Sequence, residues 1–272
     1  MPDAFCSLDA LATGISNGCM LAVAKDSSGV AMAATRELLR RGVRDLHLVC
    51  VPTGGLQAEL LIGAGAVLTI ETSAVTLGEL GPAPRFVAAV REGSMRMLDS
   101  TCPAVYAALQ AGQKGLPFIP LRGLIGSDIL AHRGDWKVID NPFAADDPIA
   151  LLPALRPDVA LFHATLADRN GNVFIGRERE VLIMAQAAHR TLVTVEEITD
   201  ADLLADEARA GAVLPAIYVS KIAHAPRGAW PLGFHDRYAA DDAFTARYVA
   251  AAGTQEGFDA FLRDWLGQTE TA

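Results

Sequence analysis

Apolar and polar positions along the chain fall into two rhythms that take turns. From Val30, VAMAATRELLRRG has the three-to-four spacing of an amphipathic helix closed by Gly42, and VRDLHLVCV, ending at Pro52, is the short apolar run of a buried strand. TGGLQAELLIGAG then predicts a helix opened by a Thr-Gly-Gly turn, and AVLTIETSAV a second strand. The helix APRFVAAVREG, the strand SMRMLDS, the helix AVYAALQAGQKG and the strand LPFIPL carry the pattern to Leu121. Helices and strands in strict turn predict an α/β fold with a parallel or mostly parallel sheet and helices on both faces.

Residues 133–158 break the rhythm. Their prolines predict a surface excursion with one short strand, a connection within a single domain spanning 1–272. VALFHATLADRNGNVFIG follows as two β-rich runs about Asp168–Asn172, where Asn-Gly accepts the positive φ of a tight turn. REREVLIMAQAAHR is predicted helical, TLVTVEEI and PAIYVSKIAHAP are predicted strands, and the tail from Asp241 is predicted to be an amphipathic helical segment.

The 272 residues are 51% hydrophobic with mean hydropathy +0.26, yet no run reaches the roughly 18 apolar residues that a membrane helix needs. The start, MPDAFCSLDALATG, has two early aspartates and no basic run, so neither a secretory signal nor a mitochondrial presequence is predicted and the cytoplasm is the expected compartment. A net charge of −9 with scattered basic residues removes the electrostatic term on which nucleic-acid binding depends. Cys6, Cys19, Cys50 and Cys102 form no CxxC pair and are expected as reduced thiols.

Candidate chemistry gathers at strand ends. VPTGGLQAEL is a strand-to-helix turn whose amides, with Gly54 and Gly55, suit a phosphate or carboxylate, or serve a plain tight turn; it has neither the P-loop nor the dinucleotide pattern. VTLGELGPAP puts Glu79 in a loop at the sheet's expected carboxyl edge, as a ligand contact or a solvated acid. Cys102 precedes Pro103 at a predicted helix start, where a thiol pKa can fall, but no histidine is spaced to serve it as base, so a capping or inert role is the expectation. Arg122 ends LPFIPLRG, suited to a carboxylate or phosphate through paired donors or to a surface ion pair. His163 is expected as a satisfied histidine within a strand, and no HExxH or HxH spacing supports a metal site.

Taken together, RDLHLVCVPTGGLQAELLIGAGAVLTIETS, TLGELGPAPRF, GLPFIPLRGLIGSD, HATLADRNGNVFIG and IAHAPRGAWPLGFHDRY make the chain resemble the A (α) subunit of the class I coenzyme A transferases, particularly the glutaconate type and its relatives in steroid ring degradation. The resemblance implies a three-layer αβα open, mostly parallel sheet that pairs with a separate B subunit in an α2β2 or larger assembly. It implies acyl-CoA and small carboxylic acids as substrates, with no permanently bound cofactor and no metal. It places the attacking glutamate on the B subunit, so that no catalytic residue lies on this chain, and a substrate-binding set of Arg122, Glu79, Ser73, Gly54, Gly55, Cys102 and Ser28.

Two departures bear on function. A Gly-Gly loop common near the start of relatives is here AVAKDSSGVAM, where Ser27, Ser28 and Gly29 stand in its place. An acidic residue common at the start of the fourth predicted helix is here Cys102-Pro103, which argues against a direct carry-over of the ring-opening branch's chemistry. The leading expectation is CoA transfer between carboxylic or dicarboxylic acids. The alternatives are a component of a CoA-thioester hydrolase or C–C cleaving enzyme, a non-catalytic ligand-binding or structural component, and an isomerase of related architecture.

Overall fold

The computed structural model describes residues 4–267. Strand β1 (Phe5–Cys6) and helix α1 (Leu8–Ala12) lead into β2 (Met20–Ala24), α2 (Met32–Arg40), β3 (Leu46–Val51), α3 (Leu56–Gly63), β4 (Val67–Thr72), α4 (Pro84–Glu92), β5 (Arg96–Asp99) and α5 (Cys102–Gln113). Then come β6 (Phe118–Leu121), α6 (Ile129–His132), β7 (Lys137–Asp140), β8 (Pro148–Pro153), β9 (Val159–Asp168), β10 (Val173–Phe174), α7 (Arg179–Ala187), β11 (Arg190–Thr199), α8 (Glu207–Ala210), β12 (Val213–Leu214), β13 (Lys221–His224), α9 (Asp242–Ala251) and α10 (Gln255–Gly267).

The main sheet runs β1-β13-β11-β9-β2-β3-β4-β5, every neighbouring pair on this path parallel, with β10 and β12 joined antiparallel beside β9. From β2 the chain builds outward through β3, β4 and β5, then returns to β9 on the other side of β2 and builds the opposite way. The strand order therefore reverses between β2 and β9, the position at which open α/β sheets characteristically take ligands.

Period-two alternation feeds two cores. Leu46, Leu48 and Cys50 of β3 enter one with Leu38 of α2, Leu60 of α3 and Phe244, Tyr248 and Phe258 of the tail helices. Val49 and Val51 enter the other with Val105 and Leu109 of α5 and Val181 and Met184 of α7. Helix α3 is buried from Leu56 to Ile62, and its one acid is answered within the core. Glu59 accepts from the Arg85 and Phe86 amides at 2.6 and 2.8 Å and from the Tyr248 hydroxyl at 2.8 Å, which caps α4 where Pro84 opens it.

Three elements differ from the sequence-based expectation. The LPFIPL strand, expected to continue the parallel sheet, is β6 of a separate antiparallel sheet ordered β6-β8-β7. The excursion contains two strands rather than one. Proline cannot donate to a ladder, so Pro120 on an edge strand and Pro148 and Pro153 at the ends of β8 suit a small sheet and would interrupt a central one. Third, β2 in the middle of the sheet, together with β1, lies ahead of Val30, where the predicted alternation begins. The Asp168–Asn172 hairpin and the helical tail form as expected. Among the described residues no helix is long and apolar enough to cross a membrane.

The small sheet is fastened to the large one through Arg133. Its guanidinium, 3% exposed, donates to Glu71 of β4 at 2.8 Å, to the Asp99 carbonyl of β5 at 3.0 Å and to Asp135, and lies 4.0 Å from the centre of the Trp136 ring. Breaking one side of a buried ion pair leaves a desolvated charge alone. Arg133→Met is expected to lower the unfolding free energy in urea by roughly 3–5 kcal/mol, and adding Glu71→Gln to recover part of that loss.

Candidate functional site

Four loops meet at the carboxyl edge of β2, β3, β4 and β5. The turn after β3 and the loop after β4 are bonded to each other: Gly54 N–H donates to the Ala74 carbonyl (2.8 Å), Thr76 N–H to the Gly54 carbonyl (3.1 Å), and Ser73 N–H to the Pro52 carbonyl (3.1 Å). The Ser73 hydroxyl donates to the same Pro52 carbonyl at 3.0 Å, and Cys102 Sγ lies 3.2 Å from Ser73 Oγ. With the hydroxyl hydrogen directed at the carbonyl, the thiol is the donor to Ser73. Cys102 is the first residue of α5, capped by the Thr101 hydroxyl on the Ala104 amide, and its side chain is exposed.

The loop Lys25–Gly29 after β2 spans the point where the strand order reverses. Ser28, buried, donates to Glu180 of α7 at 2.6 Å, and Lys25 pairs with the same carboxylate at 2.8 Å. Burial opposes that charge, and the bonds from Lys25 and Ser28 outweigh it, so the Glu180 carboxyl lies below its ordinary range. Gly29 accepts from the His163 amide of β9 at 2.8 Å; a Cβ here would lie 2.1 Å from the His163 carbonyl oxygen. The close approach needs a glycine.

On the other side of this loop, Asp26 reaches the start of α3. Its Oδ2 accepts from the Leu56 amide at 3.1 Å, and a Cβ on Gly55 would fall 2.0–2.3 Å from the three carboxyl atoms. Oδ1 is buried and has no hydrogen-bond partner among the described residues. Burial pushes the carboxyl up, the Leu56 amide pulls it part of the way back, and the result is about 6.

Of the two readings of the glycine turn, anion seat or plain tight turn, the bonds favour the turn. The Gly54 amide is held by Ala74 and the Leu56 amide by Asp26, so the glycines serve close packing within the protein. Ser73 and Cys102 are brought together. Ser28 faces α7, one strand away. Glu79 stands exposed on the 3-10 turn Gly78–Leu80 at the rim. Arg122 is exposed and paired with Asp147, which also accepts from Asn141; Leu124 beside it shares an apolar cluster with Ala104 of α5, which sets Arg122 near the end of α5 that carries Cys102.

The histidine and hairpin residues are framework. His163, buried, has Nε2 2.7 Å from Glu196 Oε1 and Nδ1 2.8 Å from Thr194 Oγ1. Burial lowers its pKa, against the pull of Glu196 in the other direction. Glu196 also accepts from the Tyr238 hydroxyl (2.7 Å) and the Arg227 amide (2.8 Å); burial pushes it up, but these bonds outweigh that and bring the carboxyl down to about 2. Asp168 accepts from the Asn170, Asn172 and Leu203 amides and the Asn172 side chain. Among the described residues no three His, Cys, Asp or Glu side chains gather as metal ligands.

Residues 7–225 match the family described as Coenzyme A transferase. The A component of a 3-oxoadipate CoA-transferase from Pseudomonas knackmussii is 35% identical over 245 residues, covering 88% of this chain and 84% of its own. The IpdA component of the cholesterol ring-cleaving hydrolase of Mycobacterium tuberculosis is 30% identical, covering 99% and 95%. The crystal structure of glutaconate coenzyme A-transferase from Acidaminococcus fermentans superposes with a TM-score of 0.89 at 28% identity, covering 97% of this chain and 89% of that one.

A buried carboxyl with a raised pKa binds more protons folded than unfolded, so its contribution to stability falls as pH rises from about 4 to about 6 and stays low above that. Asp26→Asn removes the charge and keeps an acceptor for Leu56. It is expected to be more stable than the parent at pH 8, by up to about 3 kcal/mol, with the difference vanishing near pH 4 in denaturant titrations. An equal difference at both pH values would exclude a buried charge at Asp26.

Proposed function

The chain belongs to the coenzyme A transferase family, and we propose that it is the A (α) component of a heteromeric enzyme that moves CoA between small carboxylic or dicarboxylic acids. The Ser73–Cys102 pair carries this reading: a half-buried hydroxyl and an exposed thiol, side by side at the carboxyl ends of β4 and β5. Asp26 holds the Leu56 amide, Glu180 holds Lys25 and Ser28, and Glu196 holds His163 and Tyr238. The wall is equipped to donate hydrogen bonds, and in this reading the attacking carboxylate comes from across the cleft.

In the proposed reaction a glutamate supplied by the B subunit performs the attack on the thioester carbonyl, CoA leaves as the thiolate, and an acyl–glutamyl anhydride forms. The thiolate then attacks the glutamyl carbonyl, giving glutamyl-CoA and the free acid; the acceptor acid reverses these steps. Ser73 would turn its hydroxyl from the Pro52 carbonyl toward the developing oxyanion, an interaction of the kind that commonly changes rates by about 10²-fold or more. Arg122 and Glu79 belong to the rim, Cys102 to the acyl side beside Ser73, and the Gly54–Gly55 turn shapes the floor. CoA enters as substrate, with no resident cofactor, and the chain acts as one unit in a cytoplasmic α2β2 or larger assembly.

A second reading rests on the hydrolase relative, which covers nearly the whole chain: water in place of the acceptor acid would give net thioester hydrolysis or serve ring opening. The two differ in products, because transfer conserves the thioester and hydrolysis releases free CoA.

Co-expressed with its B subunit, the protein is expected to exchange CoA between an acyl-CoA and a free acid, while this chain alone is inactive; exchange by the isolated chain would refute a shared site. Hydroxylamine or borohydride trapping should label the partner. Ser73→Ala in the complex is expected to lower kcat by about 10- to 100-fold with little change in KM, measured by steady-state kinetics.

A further inference from the structure

We propose that Asp26 is a positioning residue of the cleft: its carboxyl group, seated on the Leu56 amide against the bare Cα of Gly55, holds the loop after β2 to the turn after β3 and through that turn fixes Ser73 and Cys102. The loop Lys25–Gly29 is otherwise fastened toward α7 and β9, by Ser28 and Lys25 on Glu180 and by the His163 amide on Gly29. The turn is fastened in the other direction, to the loop after β4, through Gly54 on Ala74 and through the two bonds from Ser73 to Pro52. Asp26 is where the two sets of bonds meet, at 3.1 Å from the Leu56 nitrogen.

The fit is built from both sides. The second residue of the glycine pair has no room for a side chain because the Asp26 carboxyl fills that space, with all three of its atoms within 2.3 Å of the position a Cβ would take. The buried, unpartnered Oδ1 is a cost that a solvated loop acid does not carry, so this carboxyl is set by its surroundings. Burial and the rise of its pKa to about 6 are consistent with that enclosure. Asp26 bonds the Leu56 amide and packs on Gly55, so its role is to place other groups. The consequence is mechanical: with the carboxyl gone, the turn is tied on one side only, and the chain from the Pro52 carbonyl through Ser73 to Cys102 loosens.

Two readouts test this, and the kinetic one rests on the transferase reading. In the full chain with Cys6→Ser, the exposed Cys102 is labelled with a thiol-reactive disulfide dye while Cys19 and Cys50 are buried. Asp26→Ala is expected to speed Cys102 labelling at least threefold, Asp26→Asn to stay within about 1.5-fold of the parent, and Gly55→Ala, which pushes the carboxyl off its seat, to behave like Asp26→Ala. Should Asp26→Ala fail to fold, Asp26→Asn against Gly55→Ala decides in the same way. In the complex with the B subunit, Asp26→Ala is expected to lower kcat at least tenfold with KM for the acyl-CoA within threefold, and Asp26→Asn to keep at least a third of the parent kcat. Equal labelling in all variants, or Asp26→Asn as damaging as Asp26→Ala, overturns the proposal. If the parent complex exchanges no CoA, the transferase reading fails and the labelling rates alone decide the role of Asp26.

Discussion

The reversal of strand order between β2 and β9 is the constraint from which the site follows. Parallel strands require crossovers, and here those on one side of β2 build toward β5 while those on the other build toward β13. Where the two directions part, the loops that end at the carboxyl edge line the position at which open α/β sheets take ligands. The loop after β2 is the element that lies across it. Its bonds to β9, α7 and α3 tie the two halves together.

Most of the buried acids near this edge are construction. Glu196 joins β9, β11 and the segment that follows β13 through three donors to its side chain; Asp168 closes the hairpin with four; Glu59 caps α4; Glu71 receives Arg133. Donors converging on a carboxylate tie together the segments that supply them, and at Glu196 they also outweigh burial and favour the charged form. In HATLADRNGN, Asp168 is held by Asn170 and Asn172; His163 of that stretch and Tyr238 of HAPRGAWPLGFHDRY meet on Glu196 of β11. Asp26 departs from the pattern, having one amide donor and one unmatched oxygen.

The helix and strand alternation was legible because it depends on local periodicity, which places Leu46, Leu48 and Cys50 on one face of β3 and Val49 and Val51 on the other without reference to anything distant. The Asn-Gly hairpin was legible for the same reason, since the turn needs a residue that accepts positive φ, and Gly171 has φ 91°. The satisfied state expected of His163 was legible from its place in an apolar run, although Glu196, its partner 33 residues away, was not.

What the sequence could not carry is the pairing of segments far apart in the chain. LPFIPL has the composition of a strand, and only its pairing with β8 settles which sheet it joins. The Gly54–Gly55 turn reads as an anion seat or a plain tight turn, and only the loop after β2, 30 residues earlier, delivers Asp26 to the Leu56 amide. Ser73 and Cys102 are 29 residues apart and adjacent in space because β4 and β5 are neighbours with their carboxyl ends together. Periodicity is written in neighbouring residues, so the sequence by itself determined the elements and the class of fold. Burial, charge pairing and access depend on which strands lie side by side, so only the tertiary structure decided which acids are frame, which amides are occupied and which side chains face the crevice.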